Sequence, residues 1–294
     1  MQKNFLSVLL LNPSFESTIE LGKVEVAALS SFRLGILEVK ILENESMSDR
    51  ISAVLEAMGR IKPGMFELVV LPELWTEGAF DLTACQNTDF DLQNYAVTQL
   101  ANFAKINNIF VHAGTFPMKS KLGKIYNTAL VFNPLGECET VYEKIHLFGF
   151  LDGERTVFEP GHKVVKVDMF GIGFGISTCY DLRFSELYLR QVSMGAKVLL
   201  VSASWPEIRI KQWKALLIAR AIEGQVFVIG CNSIGKSGSV KLGGCSAVVD
   251  PFGNLLKLKV EGDFKICTLD ISLLDDYRRT FPMLQDRVLP SFTQ

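Results

Sequence analysis

Apolar positions recur along this chain in two alternating rhythms, and the alternation predicts the architecture. A strand opens at Phe32 in Phe-Arg-Leu-Gly-Ile-Leu-Glu-Val. Residues 48–62 then place Ile51, Val54, Leu55, Met58 and Ile61 at helical spacing, with Ser48 as the expected N-cap. A strand over 67–71 leads into a loop rich in Gly, Thr and Asp, and a second helix over 90–107 is expected to bury Leu92, Tyr95, Ala96, Leu100, Phe103 and Ala104. A strand over 109–115 follows, and 126–132 pairs with 139–142 across Asn133-Pro-Leu-Gly136, a hairpin signal. A second hairpin joins 163–168 to 171–178. Helix 185–195, strand 197–203, helix 207–222 and strand 225–231 come next. Asp250-Pro-Phe-Gly-Asn254 then joins two more strands, and a third covers 264–269. Helical crossovers imply parallel strands and hairpins imply antiparallel ones, so the pattern predicts mixed sheets in an α/β domain. No repeat, low-complexity tract or linker interrupts it.

The first thirty-one residues stand outside this rhythm and read as an extension of unknown role, leaving 32–294 as the main domain. Phe5 to Leu11 is apolar but far short of the ~20 residues a membrane span needs. Asn12-Pro13 stands where a leader would carry small residues before cleavage, and Glu16, Glu20 and Glu25 argue against an organellar transit peptide. A cytoplasmic location without membrane association is therefore expected. A net charge of −2 offers no basic surface for nucleic acid. The six cysteines form no CxxC pair, so reduced thiols are expected. Only His112, His146 and His162 are present, in no ligand spacing, which argues against a metal and against a histidine-based catalytic dyad or triad. No cofactor is implied.

Candidate chemistry lies where apolar strands end in polar residues. In Gly-Ile-Ser-Thr-Cys-Tyr-Asp-Leu-Arg-Phe, residues 175–184, a buried run ends at Cys179 and a charged turn follows. That placement delivers a nucleophile to the rim of a sheet, with the next backbone N–H groups free to hold an anion. Leu-Val-Val-Leu-Pro-Glu-Leu-Trp, 68–75, ends at Glu73, and Tyr-Glu-Lys-Ile-His-Leu-Phe, 142–148, places Lys144 at another strand end. Each has a plainer reading: a core thiol, a solvated strand end, a surface charge. Cys138, Cys231, Cys245 and Cys267 read as core, Cys85 as an exposed loop thiol, and His146 as a packing and hydrogen-bonding residue near the lysine.

Together the three segments resemble the nitrilase superfamily of carbon–nitrogen hydrolases over roughly residues 32–285. The resemblance implies an α-β-β-α sandwich of two mixed sheets, usually doubled in a homodimer or higher homo-oligomer. It implies a Glu73, Lys144 and Cys179 triad acting on a small-molecule amide. A second glutamate is expected between the lysine and the cysteine, seven residues ahead of a Gly; Glu154 before Gly161 fits, and Glu159 is the competing choice. Glu73 would take the thiol proton, and Lys144 with the Tyr180 N–H would hold the oxyanion. A nitrilase-fold binding scaffold would be expected to lack a triad member, and none is missing.

Cys-Tyr-Asp-Leu-Arg-Phe, the Trp-Pro segment at 205–206 and Tyr-Arg-Arg-Thr-Phe-Pro-Met-Leu-Gln-Asp at 277–286 look most like the omega-amidase branch, which cleaves the terminal amide of 2-oxo acid monoamides. Arg183 could clamp a substrate carboxylate or pair with Asp181 or Glu186. Trp205 would form a pocket wall, and Arg209 is a second candidate for anion binding. N-carbamoyl amino acid hydrolysis and deaminated-glutathione hydrolysis are the competing readings. Gly224 departs from the pattern, since relatives commonly carry Asn there.

Overall fold

Strands with apolar residues on both faces must be covered twice, and this chain meets that demand with two sheets and two helical layers. The computed structural model describes residues 29–149 and 153–288. The expected N-terminal extension lies outside them except for residues 29–31.

In chain order, β1 (Ser31–Leu37) and β2 (Lys40–Ile41) precede α1 (Met47–Gly59) and β3 (Leu68–Val70). The short helix α2 (Leu82–Gln86) and the long α3 (Phe90–Asn107) lead to β4 (Phe110–Lys119), β5 (Ile125–Phe132) and β6 (Cys138–Glu143). The hairpin β7 (Lys166–Met169) and β8 (Ile172–Thr178) is followed by α4 (Ser185–Ser193), β9 (Val198–Ala203), α5 (Ile210–Gly224) and β10 (Phe227–Asn232). The chain continues through β11 (Ile234–Ser237), β12 (Val240–Gly243), β13 (Ala247–Val249), β14 (Lys259–Glu261), β15 (Phe264–Asp270) and α6 (Ser272–Thr280).

One sheet runs β14-β15-β1-β3-β4-β5-β6, a second β13-β10-β9-β8-β7, and a small third β12-β11-β2. Both large sheets mix parallel pairs, such as β3 with β4 and β8 with β9, with antiparallel hairpins. Alternation along each strand decides the layers. Leu34, Ile36, Leu68, Val70 and Val131 meet Phe174, Ile176, Leu200 and Ile229 between the sheets. On the outer face of the first sheet, Val69, Val111 and Leu130 pack on Ile51, Val54, Ala96 and Leu100 of α1 and α3. On the outer face of the second, Leu199, Val201 and Val228 pack on Leu187, Trp213 and Leu217 of α4 and α5. The result is the α-β-β-α sandwich. Among the described residues no helix is long and apolar enough to cross a membrane.

Several local expectations need correction. Ser46, not Ser48, caps α1: its hydroxyl accepts from the Asp49 N–H at 3.1 Å, and the Asp49 carboxylate accepts from the Ser46 N–H in return. Tyr95 is 52% exposed, because the buried stripe of α3 runs through Gln93, Ala96, Val97, Leu100 and Ala101, which turns position 95 to solvent. Cys85 is fully buried, on α2 against Leu74, Leu147 and Phe158. The segment after Asp250-Pro-Phe-Gly-Asn254 forms only a single bridge, Val249 with Leu255, before β14. The small third sheet had no counterpart in the sequence reading. Gly224 closes α5, and the left-handed turn there falls on Gln225 (φ 45°).

Candidate active site

Three strand ends and one turn converge on a pocket of about 190 Å³ whose lining includes Glu73, Lys144, Glu154 and Cys179. Glu73 follows β3, where Leu74 takes a left-handed backbone (φ 42°) and donates its N–H to Thr115 Oγ1 at 2.9 Å. The same turn presses on β4, where a Cβ on Gly114 would lie 2.0 Å from the Pro72 carbonyl oxygen. Only glycine fits there. Lys144 extends β6, its N–H donating to the Asn127 carbonyl of β5 at 2.9 Å. Glu154 opens a single 3-10 turn whose first N–H donates to the Phe148 carbonyl.

Cys179 follows β8 and opens a 3-10 turn in a left-handed conformation (φ 46°), a costly backbone for a residue with a Cβ. Asp181 holds that turn from within: its carboxylate accepts from the Thr178 N–H at 2.9 Å, the His146 N–H at 2.9 Å and the Tyr142 hydroxyl at 2.6 Å. His146 Nδ1 lies 2.8 Å from the same carboxylate, and its ring stacks on Phe184 with 3.8 Å between centroids. The histidine thus packs and bonds beside the lysine.

At the centre, Lys144 Nζ donates to Glu73 Oε1 and to Glu154 Oε1, each at 2.8 Å. All three side chains are almost wholly buried. The second oxygen of each carboxylate has its own donor: Ser204 N–H to Glu73 Oε2 at 3.0 Å and Phe148 N–H to Glu154 Oε2 at 2.7 Å. Burial works against the Lys144 charge, but Glu154 and Glu73 outweigh it and hold the ammonium well above its ordinary range. Burial pushes the Glu154 carboxyl up, with Lys144 opposing. Burial and the Glu73 charge push the Cys179 thiol well up against the pull of Lys144, so at rest the proton stays on sulfur.

Of the two glutamates left open by the sequence, Glu154 joins the cluster, whereas Glu159 is part-exposed and pairs with Lys124 at 3.2 Å. Tyr180, Arg183, Trp205 and Arg209 all line the pocket. The Arg183 guanidinium lies 4.8 Å from the Trp205 ring centroid and donates to Gln212 Oε1 at 2.8 Å; among the described residues it pairs with neither Asp181 nor Glu186. Arg209 lies over the Phe148 ring at 6.0 Å. Asn127, Ser204 and Asp181 were absent from the sequence-level candidate set. For Asn127 the available signal was a lone amide in the otherwise β-branched, aromatic and apolar run Tyr-Asn-Thr-Ala-Leu-Val-Phe.

Residues 33–279 match the family model described as carbon-nitrogen hydrolase. A 2-oxoglutaramate amidase of Paenarthrobacter nicotinovorans is 35% identical over 274 residues, covering 90% of each chain. A deaminated glutathione amidase of Dictyostelium discoideum is 29% identical over 278 residues, covering 88% of this chain and 95% of that one. The crystal structure of Saccharomyces cerevisiae Nit3, described as a member of branch 10 of the nitrilase superfamily, superposes with a TM-score of 0.76 at 25% identity, covering 89% of this chain and 98% of that one.

Proposed function

The chain belongs to the carbon–nitrogen hydrolase family and hydrolyses amides, and on that premise we propose that it is an omega-amidase, cleaving the terminal amide of a small carboxylate-bearing substrate of the 2-oxoglutaramate or 2-oxosuccinamate type. The observation that carries this reading is the Arg183 guanidinium, set against Trp205 in the same pocket as Cys179 and the Lys144 ammonium that bridges Glu73 and Glu154.

An ammonium has three N–H donors. Two are committed to the glutamates, and the third is left for the substrate carbonyl oxygen. Glu73 takes the Cys179 proton as sulfur attacks the amide carbon, and the oxyanion is held by Lys144 and the Tyr180 N–H. Collapse expels the amine, which leaves as ammonia with the proton from Glu73. Water then attacks the thioester as Glu73 accepts its proton, sulfur regains a proton, and the acid is released. Glu154 holds Lys144 in place throughout. Arg183, with Trp205 behind it, receives the substrate carboxylate, and Arg209 stands at the outer wall.

One observation favours deaminated glutathione as a second reading. Outward from Arg209 the pocket adjoins a groove along Phe80, Phe148, Pro206, Ile208 and Val240, with room for a longer acyl chain. Self-association is proposed on the patch where Phe252 packs at a tilt against Tyr277 beside Phe281, since Phe252 and Phe281 are both half-exposed. Ammonia release from a panel of amides tests the substrate assignment. Turnover of 2-oxoglutaramate or 2-oxosuccinamate ahead of N-carbamoyl amino acids and deaminated glutathione is expected. Preference for either competitor would overturn the omega-amidase reading and leave the amidase standing.

A further inference from the structure

We propose that Asn127 is a positioning residue for amide hydrolysis: its side-chain amide holds the Glu73 and Glu154 carboxylates at one spacing about Lys144 Nζ, and so fixes which ammonium N–H faces the substrate. The proposal rests on the catalytic reading above and deepens it.

Asn127 is fully buried near the start of β5. Its Nδ2 donates to Glu73 Oε1 at 2.9 Å and, at the longer distance of 3.5 Å, to Glu154 Oε1. These are the two oxygens that Lys144 Nζ also reaches, so the ammonium and the amide bridge the same pair of atoms. The Asn127 carbonyl in turn accepts the Lys144 backbone N–H at 2.9 Å. One residue therefore grips all three charged partners. It is absent from the pocket lining, so it acts through them and not on the substrate.

The other half of the amide points to function. Asn127 Oδ1 is buried and has no partner among the described residues. A buried acceptor without a donor is unfavourable, and an apolar residue of similar size would remove the defect. Turning the amide over would set its oxygen against two carboxylate oxygens, which is worse. The orphaned oxygen follows from placing an NH₂ between two anions. Without that NH₂, Lys144 would be the one group bridging the two like charges, since the Ser204 and Phe148 N–H groups each hold a single carboxylate by its outer oxygen. The carboxylates would move apart and draw the ammonium off its aim at the carbonyl, a misplacement of the kind that costs about 10²-fold in rate.

The test compares Asn127→Asp, Asn127→Ala and Cys179→Ala with wild type by kcat, KM, pH profile and thermal melting. Asn127→Asp keeps the shape but replaces the donor. Ionised, it sets a third carboxylate against the other two; protonated, it restores one O–H donor. Its kcat is expected to fall about 10²-fold near about pH 8 and to recover in part towards about pH 5.5, while KM stays within about threefold. Asn127→Ala should lose a similar factor in kcat without the acid recovery. Wild-type kcat and pH profile in both variants, or a lower melting temperature with unchanged kcat per folded molecule, would overturn the proposal. An active Cys179→Ala would overturn the catalytic reading itself, and its inactivity beside normal Asn127 variants would sink this proposal alone.

Discussion

Tyr142 and Asp181, 39 positions apart, are joined across the two sheets by a 2.6 Å hydrogen bond from the phenol to the carboxylate. Tyr142 stands two residues before Lys144 on the first sheet, and Asp181 two after Cys179 on the second. The bond therefore ties the Lys144 strand to the Cys179 turn. Burial, with the Asp181 charge, pushes the phenol well above its ordinary range, so it remains a donor.

Tyr142→Phe keeps the ring and removes that donor. A hydrogen bond to a charged group contributes about 1.5–3 kcal/mol, so urea unfolding should show a loss of that order. Turnover should fall more than KM rises, because the Cys179 turn is loosened and the pocket wall is not. An unchanged urea midpoint would show that the other donors to Asp181 suffice.

Cys179→Ala should abolish ammonia release without altering the melting profile. In wild type, rapid quenching with substrate should trap an acyl adduct on Cys179 by intact mass and peptide mapping. The buried Cys85 should stay unmodified. An adduct on another cysteine, or near-normal turnover by the variant, would contradict the assignment.

Glu73→Gln retains shape and loses the base, for an expected fall in kcat of about 10²- to 10⁴-fold. Lys144→Met removes the oxyanion donor, for at least about 10²-fold. Glu154→Gln leaves Lys144 a neutral acceptor in place of one of its two anions and should be severely impaired. Glu159→Gln, on the surface with Lys124, should match wild type, and steady-state kinetics on all four variants decides the matter.

The layers and the meeting of Glu73, Lys144 and Cys179 in one pocket were legible because strand periodicity and strand-end motifs are local. Legibility failed where burial is set by distant parts of the chain. Cys85 looked like a loop thiol because its neighbours are polar, yet Leu74, Leu147 and Phe158 close over it. Ser48 and Ser46 are both plausible caps in isolation, and only the reciprocal bond with Asp49 selects Ser46. Glu154 and Glu159 differ by five positions in one loop, and the tertiary approach of Lys144 separates them. Asn127 carries no motif, and Ser204 gains its meaning only from Glu73, far away in the chain.

Glu77 predicts a pH dependence of stability. Burial raises its carboxyl to about 7, although Thr76 and Thr88 donate to it and Arg50 is near. The folded state thus favours the protonated form. The group's contribution is complete below the unfolded value of about 4.5 and is lost as pH rises through about 7, a change of about 3 kcal/mol. Glu77→Gln stays neutral and should melt like wild type at about pH 4.5 and higher than wild type at about pH 8. Parallel melting curves for the two proteins across that range would refute the account.

The specificity prediction turns on Arg183. A 2-oxo acid monoamide carries its carboxylate only a few bonds from the scissile amide, so the pocket must set a cation close to the Cys179 sulfur. The Arg183 guanidinium lines that pocket, is steadied by Gln212 at 2.8 Å and lies against Trp205. With one amino group committed to Gln212, its remaining N–H donors can meet a carboxylate. Losing a charge-assisted contact costs about 1.5–3 kcal/mol, or roughly 10- to 100-fold. Because the carboxylate is remote from the bond being broken, much of the loss from Arg183→Ala should appear in KM. Hydrolysis of a neutral amide of similar length should change little. Equal losses on both substrates would make Arg183 structural and move the carboxylate to Arg209, for which Arg209→Ala assayed on the same pair gives the answer.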